Sequence, residues 1–391
     1  MVEGEAGSTA PTGALDGVRV LDLSRVLAGP LATQMLADLG ADVVKVEAPW
    51  GDDTRGWGPP FVDLGGEAAA AYYASCNRGK RSIVVDARSE KGRAEIERLI
   101  GAADIVVENF RVGTLARWGL APADLIETHS GLIVCSITGF GQTGPRAHEA
   151  GYDIALQGIS GIMSVTGEAD GPPVKVGVAW IDVMTGLTAS AAILAALYHR
   201  ERTGEGQTID LALFDVALAA MVNQGQNWLA SGNPPGRMGH AHPNIVPYQA
   251  FEASDGWFIL ATGNDAQYAS VCRVVGRDDL LADELLTNAG RLEHRERVVG
   301  ALAEEFASKQ VQEWLTEFGA IGVPCTPIHD LAEAFSDPQA AARGALWQLS
   351  GDFPSIASPL RFMSATPAGP GAAPPALDAD ADSIRRDWLD G

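Results

Sequence analysis

The stretch LDGVRVLDLSRVLAGPLATQMLADLGADVVKVE, residues 15–47, decides the fold class. Val18 to Leu23 is an apolar run of strand length and reads as a buried strand. Gly29-Pro30 then opens an amphipathic helix through Gln34, Leu36 and Leu39, and ADVVKVE at 41–47 returns as a second strand. The rhythm repeats in RSIVVD at 81–86, a helix from about Ser89 to Ala102, ADIVVENF at 103–110 and GLIVCSITGF at 131–140. Short apolar strands alternating with helices predict a parallel sheet covered on both faces, so the expected class is α/β with a large, open-sheet, Rossmann-like domain. The first strand-to-helix turn reads Ser24, Arg25, Val26, Leu27, Ala28, Gly29, Pro30 and lacks GxGxxG, which argues against a nicotinamide dehydrogenase. No Walker A run and no HExxH spacing occur, so ATP hydrolysis and zinc chemistry have no support.

Working outward, the large domain is expected over 15–230, after a disordered start at 1–14. Strongly helical stretches run from Val183 to Arg202 and from Leu211 to about Trp228. The turn-rich segment from Ser231 to Gly239 marks a boundary. Beyond it YQAFEAS and GWFILATG read as strands, and helices are expected near Gln267–Val275, Leu292–Ala307 and Val311–Phe318. This predicts a smaller α+β domain over 231–328. From His329 the chain reads as irregular, with a Pro/Ala/Gly-rich run from Ala365 to Ala376 and a last short helix at Ser383–Leu389. The tail, 329–391, is expected to return to the large domain.

Twenty-eight Lys and Arg against 50 Asp and Glu give a net charge of −22, which argues against nucleic acid as a partner. An anionic ligand needs a local basic patch. Asn77-Arg78-Gly79-Lys80-Arg81 before a strand, and Arg88, Arg111 and Arg117 near later strand ends, are the groupings available to meet phosphates. Cys76, Cys135, Cys272 and Cys325 lie far apart and read as reduced, mostly buried thiols. The longest apolar stretch, Leu187 to Tyr198, is short for a membrane span, and residues 1–14 do not form a secretory signal. A cytoplasmic protein without a membrane partner is expected.

Asp182, in VAWIDVMTG at 178–186, stands at the entry to a long helix. It reads either as an N-cap or as a carboxylate kept ionised and nucleophilic by the helix end, and spacing alone does not choose. Gly139 to Pro145 is a loop of small residues whose amides could approach a ligand closely. Gly239-His240-Ala241-His242-Pro243 holds two histidines without the further ligands of a metal site.

Eight strings in order carry a resemblance: the opening 15–47, GDDTRGWGPPF (51–61), NRGKRSI (77–83), ADIVVENF (103–110), SITGFGQTGP (136–145), GYDIALQGISGIMSVTG (151–167), DVMTG (182–186) and RTGEGQTIDLALFD (202–215). Together they resemble the family III CoA-transferases, the group related to formyl-CoA transferase, carnitine CoA-transferase and α-methylacyl-CoA racemase. The resemblance implies that Asp182 is the covalent nucleophile, carrying first the acyl group as an anhydride and then CoA as an aspartyl thioester. It places coenzyme A, as substrate, on Arg25, Val26, Leu27, Ala28, Val85, Arg88, Asn109, Phe110 and Arg117. Ala48 stands where formyl-CoA transferase has an arginine. It also implies an interlocked homodimer, with no metal and no redox cofactor.

The racemase branch has a histidine where this chain has Tyr152. Tyr152 therefore argues for transfer over proton abstraction, although a tyrosine packed in the core is the plain alternative. Asp153 is left open between catalysis and holding its loop. Backbone amides near Gly141 and Gly239 are the expected oxyanion donors. GDDTRGWGPPF with GRMGHAHPNIVPYQAF (236–251) most resembles the branch acting on succinate and hydroxymethylglutarate or glutarate. That branch suggests a small dicarboxylic acid as partner to the acyl-CoA, met by Arg237, His240 or His242. A racemase-type isomerase and a non-catalytic CoA-binding protein are the competing classes.

Overall fold

The computed structural model of the chain describes residues 13–361 and 371–390. The expected disordered start therefore lies, apart from Gly13 and Ala14, outside the described residues, as does the first half of the Pro/Ala/Gly-rich run.

The chain forms two compact units. The larger runs through Ile162, takes Val176–Gln226 and takes the chain again from Pro338, so both ends build it. The smaller consists of Met163–Lys175 and Asn227–Asp337. Its limits differ from the expected 231–328: it starts and ends differently and includes the thirteen-residue excursion Met163–Lys175.

In the larger unit the strands are β1 (Arg19–Asp22), β2 (Asp42–Glu47), β3 (Phe61–Asp63), β4 (Ala68–Ala70), β5 (Lys80–Val84), β6 (Ile105–Glu108), β7 (Ile133–Thr138) and β8 (Gln207–Ala212). Six of them form one parallel sheet in the order β5-β2-β1-β6-β7-β8, and β3 pairs with β4 in a separate hairpin. Counted within the large sheet, this is the order 3-2-1-4-5-6 of a doubly wound dinucleotide fold, whose crevice opens at the carboxyl ends of its first and fourth strands. Here those strands are β1 and β6, joined through Val20 opposite Ile105 and Leu21 opposite Val106.

Strand sequences such as IVCSIT are buried along their whole length because helices cover both faces. On one face lie α1 (Ala28–Asp38) and, later in the chain, a 24-residue helix, Trp180–Thr203; Leu36, Val107, Ile181 and Ile193 join in one core there. On the other, Ile96, Leu99 and Ile100 of α2 (Glu90–Gly101) pack with Ile384 and Trp388 of the tail. Each fully buried Leu or Ile of this kind contributes about 1.5–3 kcal/mol. Ser89 caps α2 by accepting from the Gly92 amide, which fixes the expected start of that helix.

The helical reading from Leu211 to Trp228 is corrected. Gln207–Ala212 is the edge strand β8, and two helices follow, Leu213–Ala219 and Val222–Ser231. The tail is also more ordered than expected: Leu331–Ser336 and Pro338–Ala342 are helical, and β12 (Leu346–Leu349) pairs with β13 (Phe353–Ile356).

The smaller unit holds an antiparallel sheet of β9 (Tyr248–Glu252), β10 (Trp257–Ala261) and β11 (Cys325–Pro327), in the order β11-β10-β9. Phe306 is the hub of its core, with Phe251, Phe258, Trp314 and Phe318 packed edge-on around it. The expected helix over Leu292–Ala307 is interrupted at His294 into Asn288–Glu293 and Arg295–Phe306.

The outer edge of the large sheet, β5, is closed by the tail through side chains instead of another strand. The Ser82 amide donates to the Asp380 carboxylate at 2.9 Å and the Val84 amide to Asp378 at 2.7 Å. Replacing Asp378 and Asp380 together by Ala is expected to lower the unfolding free energy by about 2–4 kcal/mol. The measurement is a lower urea midpoint at unchanged slope; an unmoved midpoint would show that water replaces these carboxylates without loss.

Candidate active site

A cleft of about 240 Å³ opens at the carboxyl ends of β1 and β6, and every residue lining it belongs to the larger unit. Of the expected residues, Arg25, Val26, Leu27, Ala28, Asn109, Phe110, Tyr152 and Asp182 line it. Its size is below the roughly 300–1,000 Å³ of a drug-sized ligand site, so it suits the reacting end of a larger molecule.

The first wall is the turn between β1 and α1. Val26 has φ +70°, which a β-branched side chain adopts at a cost of about 1–3 kcal/mol. Asn109, at the end of β6, clasps this turn from across the switch point. Its Oδ1 accepts from the Arg25 amide at 2.9 Å, and its Nδ2 donates to the Arg25 carbonyl at 2.7 Å. Arg25 Nη1 reaches Asp53 at 3.1 Å, whereas its buried Nε meets no protein acceptor among the described residues. The first turn of α1 carries no side-chain cap and no acidic residue. Ala28, the first residue of this uncapped helix, lines the cleft, so the positive end of the helix dipole is directed there.

The second wall is the start of the long helix, labelled here with the shorter one before it: α3 (Asp153–Ile159) and α4 (Trp180–Thr203). Gly186 lets α4 cross α1 closely, since a Cβ there would lie 2.9 Å from the Ala28 carbonyl oxygen and 3.2 Å from Leu31. One turn earlier on the same helix is Asp182. The cap reading of Asp182 is corrected: the N-cap position is Ala179 and Asp182 is the third residue of the helix. The capping carboxylate comes from α3. Asp153 Oδ1 accepts from the Ile181 amide at 2.8 Å and the Asp182 amide at 3.3 Å, and its Oδ2 accepts from the buried Gln157 at 2.6 Å.

Asp153 thus takes the donors that the sequence assigned to Asp182. The Asp182 carboxylate is half-buried and receives no hydrogen bond among the described residues. Burial first, and then the neighbouring Asp153 charge, push its pKa up to about 7. The expectation that the helix end holds Asp182 fully ionised is overturned for this reason. Near neutral pH the group is poised between forms, and its anion is more basic than an ordinary carboxylate. Tyr72 stands close enough to feel both acids: burial, followed by Asp182, pushes its phenol to about 12. Its ring packs edge-on against Trp57 of the cleft wall at 5.3 Å.

Other expected residues lie away from the cleft or have partners within the protein. Val85 is buried in the core, Arg88 pairs with Asp86 and stacks on Trp50, and Arg117 donates to Thr114; none of the three lines the cleft. The Gly141 amide donates to Thr138 Oγ1 at 2.8 Å and the Gln142 amide to Asp210, so this loop has no free donor there for an oxyanion. The Gly239 amide is spent on the Gly167 carbonyl, and a Cβ at Gly239 would meet the Glu168 carboxylate at 2.7 Å. Gly239 is a packing requirement of the smaller unit. Arg237 uses Nε and Nη2 on the carbonyls of Glu168 and Gly171, His240 packs on Trp257, and His242 Nδ1 accepts from the Asn244 amide. Tyr152 is 64 % exposed at the cleft, so a core-packed tyrosine is ruled out.

The cleft also recruits Asp53, Trp57 and His148, which the sequence did not single out as site residues, and Arg111, which it offered among the basic groups available to meet phosphates. Arg111 directly follows Asn109-Phe110 at the switch-point strand, and that position was the available signal. Among the described residues no group of three or more His, Cys, Asp or Glu is placed to hold a metal ion.

The model of CoA-transferase family III matches residues 15–381. A succinate–glutarate CoA-transferase of Agrobacterium fabrum is 49% identical over 361 residues, covering 90% of each chain. The human succinyl-CoA:glutarate CoA-transferase is 42% identical over 337 residues, covering 86% of this chain and 76% of its own. The crystal structure of a CAIB/BAIF family protein from Brucella suis superposes with a TM-score of 0.86 at 47% identity, covering 96% of this chain and 99% of that one.

The raised pKa has a consequence for stability. A folded-state value near 7 against an ordinary 3.8 means that the folded protein holds an extra proton between these values, so stability falls as pH rises from about 4 to about 7. Asp182→Asn is expected to raise the unfolding free energy by about 2–4 kcal/mol at pH 8 and to leave it nearly unchanged at pH 4. Urea unfolding at the two pH values measures this. Equal effects at both would contradict the desolvated setting described for Asp182.

Proposed function

The chain belongs to CoA-transferase family III, and from that premise we propose that it exchanges CoA between succinate and a short dicarboxylate of the glutarate type, with Asp182 as the covalent nucleophile. The observation that carries the reading is an unbonded, half-buried carboxylate with a pKa near 7 in a cleft shared with the uncapped end of α1. The names of the relatives support the choice of acids.

In this reading an Asp182 oxygen attacks the thioester carbonyl, the C–S bond breaks and CoA leaves as thiolate. The product is a succinyl-aspartyl anhydride. The thiolate then attacks the aspartyl carbonyl, forming an aspartyl-CoA thioester as succinate departs. Glutarate attacks that thioester and releases the thiolate again, which takes the glutaryl group and restores the carboxylate. No electron pair is gained or lost overall and no water enters. Splitting one exchange between weak nucleophiles into these steps is the advantage of covalent catalysis, provided the anhydride is kept dry.

The Ala28 amide at the end of α1 is suited to the oxyanions and Arg25 and Arg111 to phosphate or carboxylate. Asp153 serves as the residue that fixes α4 and raises the basicity of Asp182. An exposed tyrosine at position 152, in place of an imidazole, supports transfer over racemisation.

A homodimer belongs to the same proposal. Trp180, Leu187 and Tyr198 of α4, with Leu218 and Val222 beyond it, leave apolar side chains exposed on the larger unit. α4 is long and apolar enough to cross a membrane, yet Ile181, Ala189, Ile193 and Ala196 are buried in the fold. That burial supports a water-soluble protein whose remaining apolar face meets a second copy, and a cytoplasmic location is part of the same proposal.

Incubation with succinyl-CoA and glutarate is expected to yield glutaryl-CoA, and hydroxylamine to trap an acylated Asp182. Asp182→Asn should lower exchange by at least roughly 10³-fold. Undiminished exchange, with deamidation excluded by mass spectrometry, would end the proposal. For the parent protein, kcat/KM for succinyl-CoA should rise with pH through about 7 and then level, because only ionised Asp182 attacks. A profile flat from pH 5 to 8 would contradict that assignment.

A further inference from the structure

The segment Gly51-Asp52-Asp53-Thr54-Arg55, which supplies Asp53 to the cleft, lies directly against the turn at Arg25–Ala28. Each backbone polar group at the centre of that turn is held by a side chain. Asn109 takes the Arg25 amide and carbonyl, as described. The Val26 amide points at both oxygens of Asp52, at 3.3 and 3.4 Å, and the Val26 carbonyl accepts from Cys76 Sγ at 3.6 Å.

Asp52 is itself 2 % exposed. Its Oδ1 accepts from the Thr54 amide at 3.0 Å and hydroxyl at 2.7 Å, and its Oδ2 pairs with Lys45 at 3.0 Å. Lys45, fully buried, also donates to the Ser24 carbonyl at 2.9 Å, so one cation ties Asp52 to the residue that begins the turn. Burial alone would raise the Asp52 pKa, but Lys45 and the Thr54 bonds outweigh it and hold the carboxyl below its ordinary value.

We infer that Asp52 is a positioning residue for the acyl-CoA: it holds Val26 in the left-handed conformation and so aims Arg25 at the substrate. The inference rests on the cleft's being the CoA site. A β-branched residue leaves the left-handed region unless its surroundings over-determine it. At Val26 the surroundings are a carboxylate whose own place is set by Lys45, Thr54 and the Glu47 carboxylate, which accepts from the Asp52 amide at 2.9 Å. Neutralising Asp52 weakens that hold without touching any group that meets the reacting atoms. The effect therefore falls on CoA affinity and on KM for succinyl-CoA, and far less on kcat.

The test is a double-mutant cycle on the full chain, with CoA binding read by calorimetry and exchange kinetics read in parallel. Asp52→Asn is expected to raise the CoA dissociation constant and the succinyl-CoA KM about tenfold, with kcat within about threefold. Glycine adopts a positive φ freely, so in the Val26→Gly background the same change should cost only about twofold. Should Asp52→Asn alone fail to fold around an unpaired lysine, Lys45→Met with Asp52→Asn removes both charges and carries the same expectations. Equal penalties in the two backgrounds, or a loss confined to kcat, would overturn the inference. If the parent protein binds CoA and Asp52→Asn binds it equally, the inference fails while the functional reading stands. If the parent binds no CoA, the functional reading fails and takes this inference with it.

Discussion

Beneath the cleft the larger unit buries a set of charges that must be satisfied among themselves. Lys45 and Lys80 are fully buried and Arg55 nearly so, facing Asp22, Glu47 and Asp52. Removing any one of these six leaves an uncompensated charge in the interior, a loss of about 3–5 kcal/mol for a single buried partner. Hence the ends of β1, β2 and β5 and the loop after β2 are fixed together, not one by one. Lys80 alone joins Asp22, Pro30 and Asn77. Asp22, where burial is outweighed by Lys80 and Lys45, has its pKa lowered to about 2, so this carboxylate stays ionised across the ordinary pH range. The tail completes it, with the Pro375 carbonyl accepting from Arg55 and Tyr73.

A rigid floor of that kind allows the cleft above it to hold groups in unfavourable states. Two are visible. Val26 sits at a positive φ, and Asp182 sits half-buried with no hydrogen bond, beside another carboxylate. In each case a neighbouring acid decides the outcome: Asp52 meets the Val26 amide, and Asp153 takes the α4 amides that would otherwise stabilise ionised Asp182. The two carboxylates at the head of α4 have unlike surroundings, and it is the unbonded one that faces the cleft.

Sequence alone made the sheet legible because its buried strands are apolar runs with clear turns between them, while the order of those strands came only from the structure. β8 escaped because Gln207–Ala212 is an edge strand with mostly exposed side chains; QTIDLA has no core signature, and its apolar end merges into the helix that follows. Likeness singled out Asp182, but its state was not legible in the sequence. Whether a carboxylate near a helix start is capped, ionised or stranded depends on a second side chain, Asp153, that lies 29 residues earlier and meets it only through the fold. The loops at Gly141 and Gly239 misled for a related reason. Glycine marks where backbone can come close, and in both places the close partner is the protein's own Thr138 or Gly167.

The chain's acidity makes its use of cations selective. With a net charge of −22 the general surface field opposes an anionic thioester, so attraction must come from groups at short range, where a Debye length of about 8 Å leaves them unscreened. Most basic groups near the sheet are already committed: Lys45, Lys80, Arg55 and Arg78 to buried acids, Arg88 to Asp86, Arg81 to Asp42. What remains at the cleft is Arg25, with its buried Nε unspent, Arg111 and the end of α1. All three lie at the switch point between β1 and β6. An anion drawn to that point is brought to the same cleft as Asp182, so the scarcity of free cations serves orientation as much as affinity.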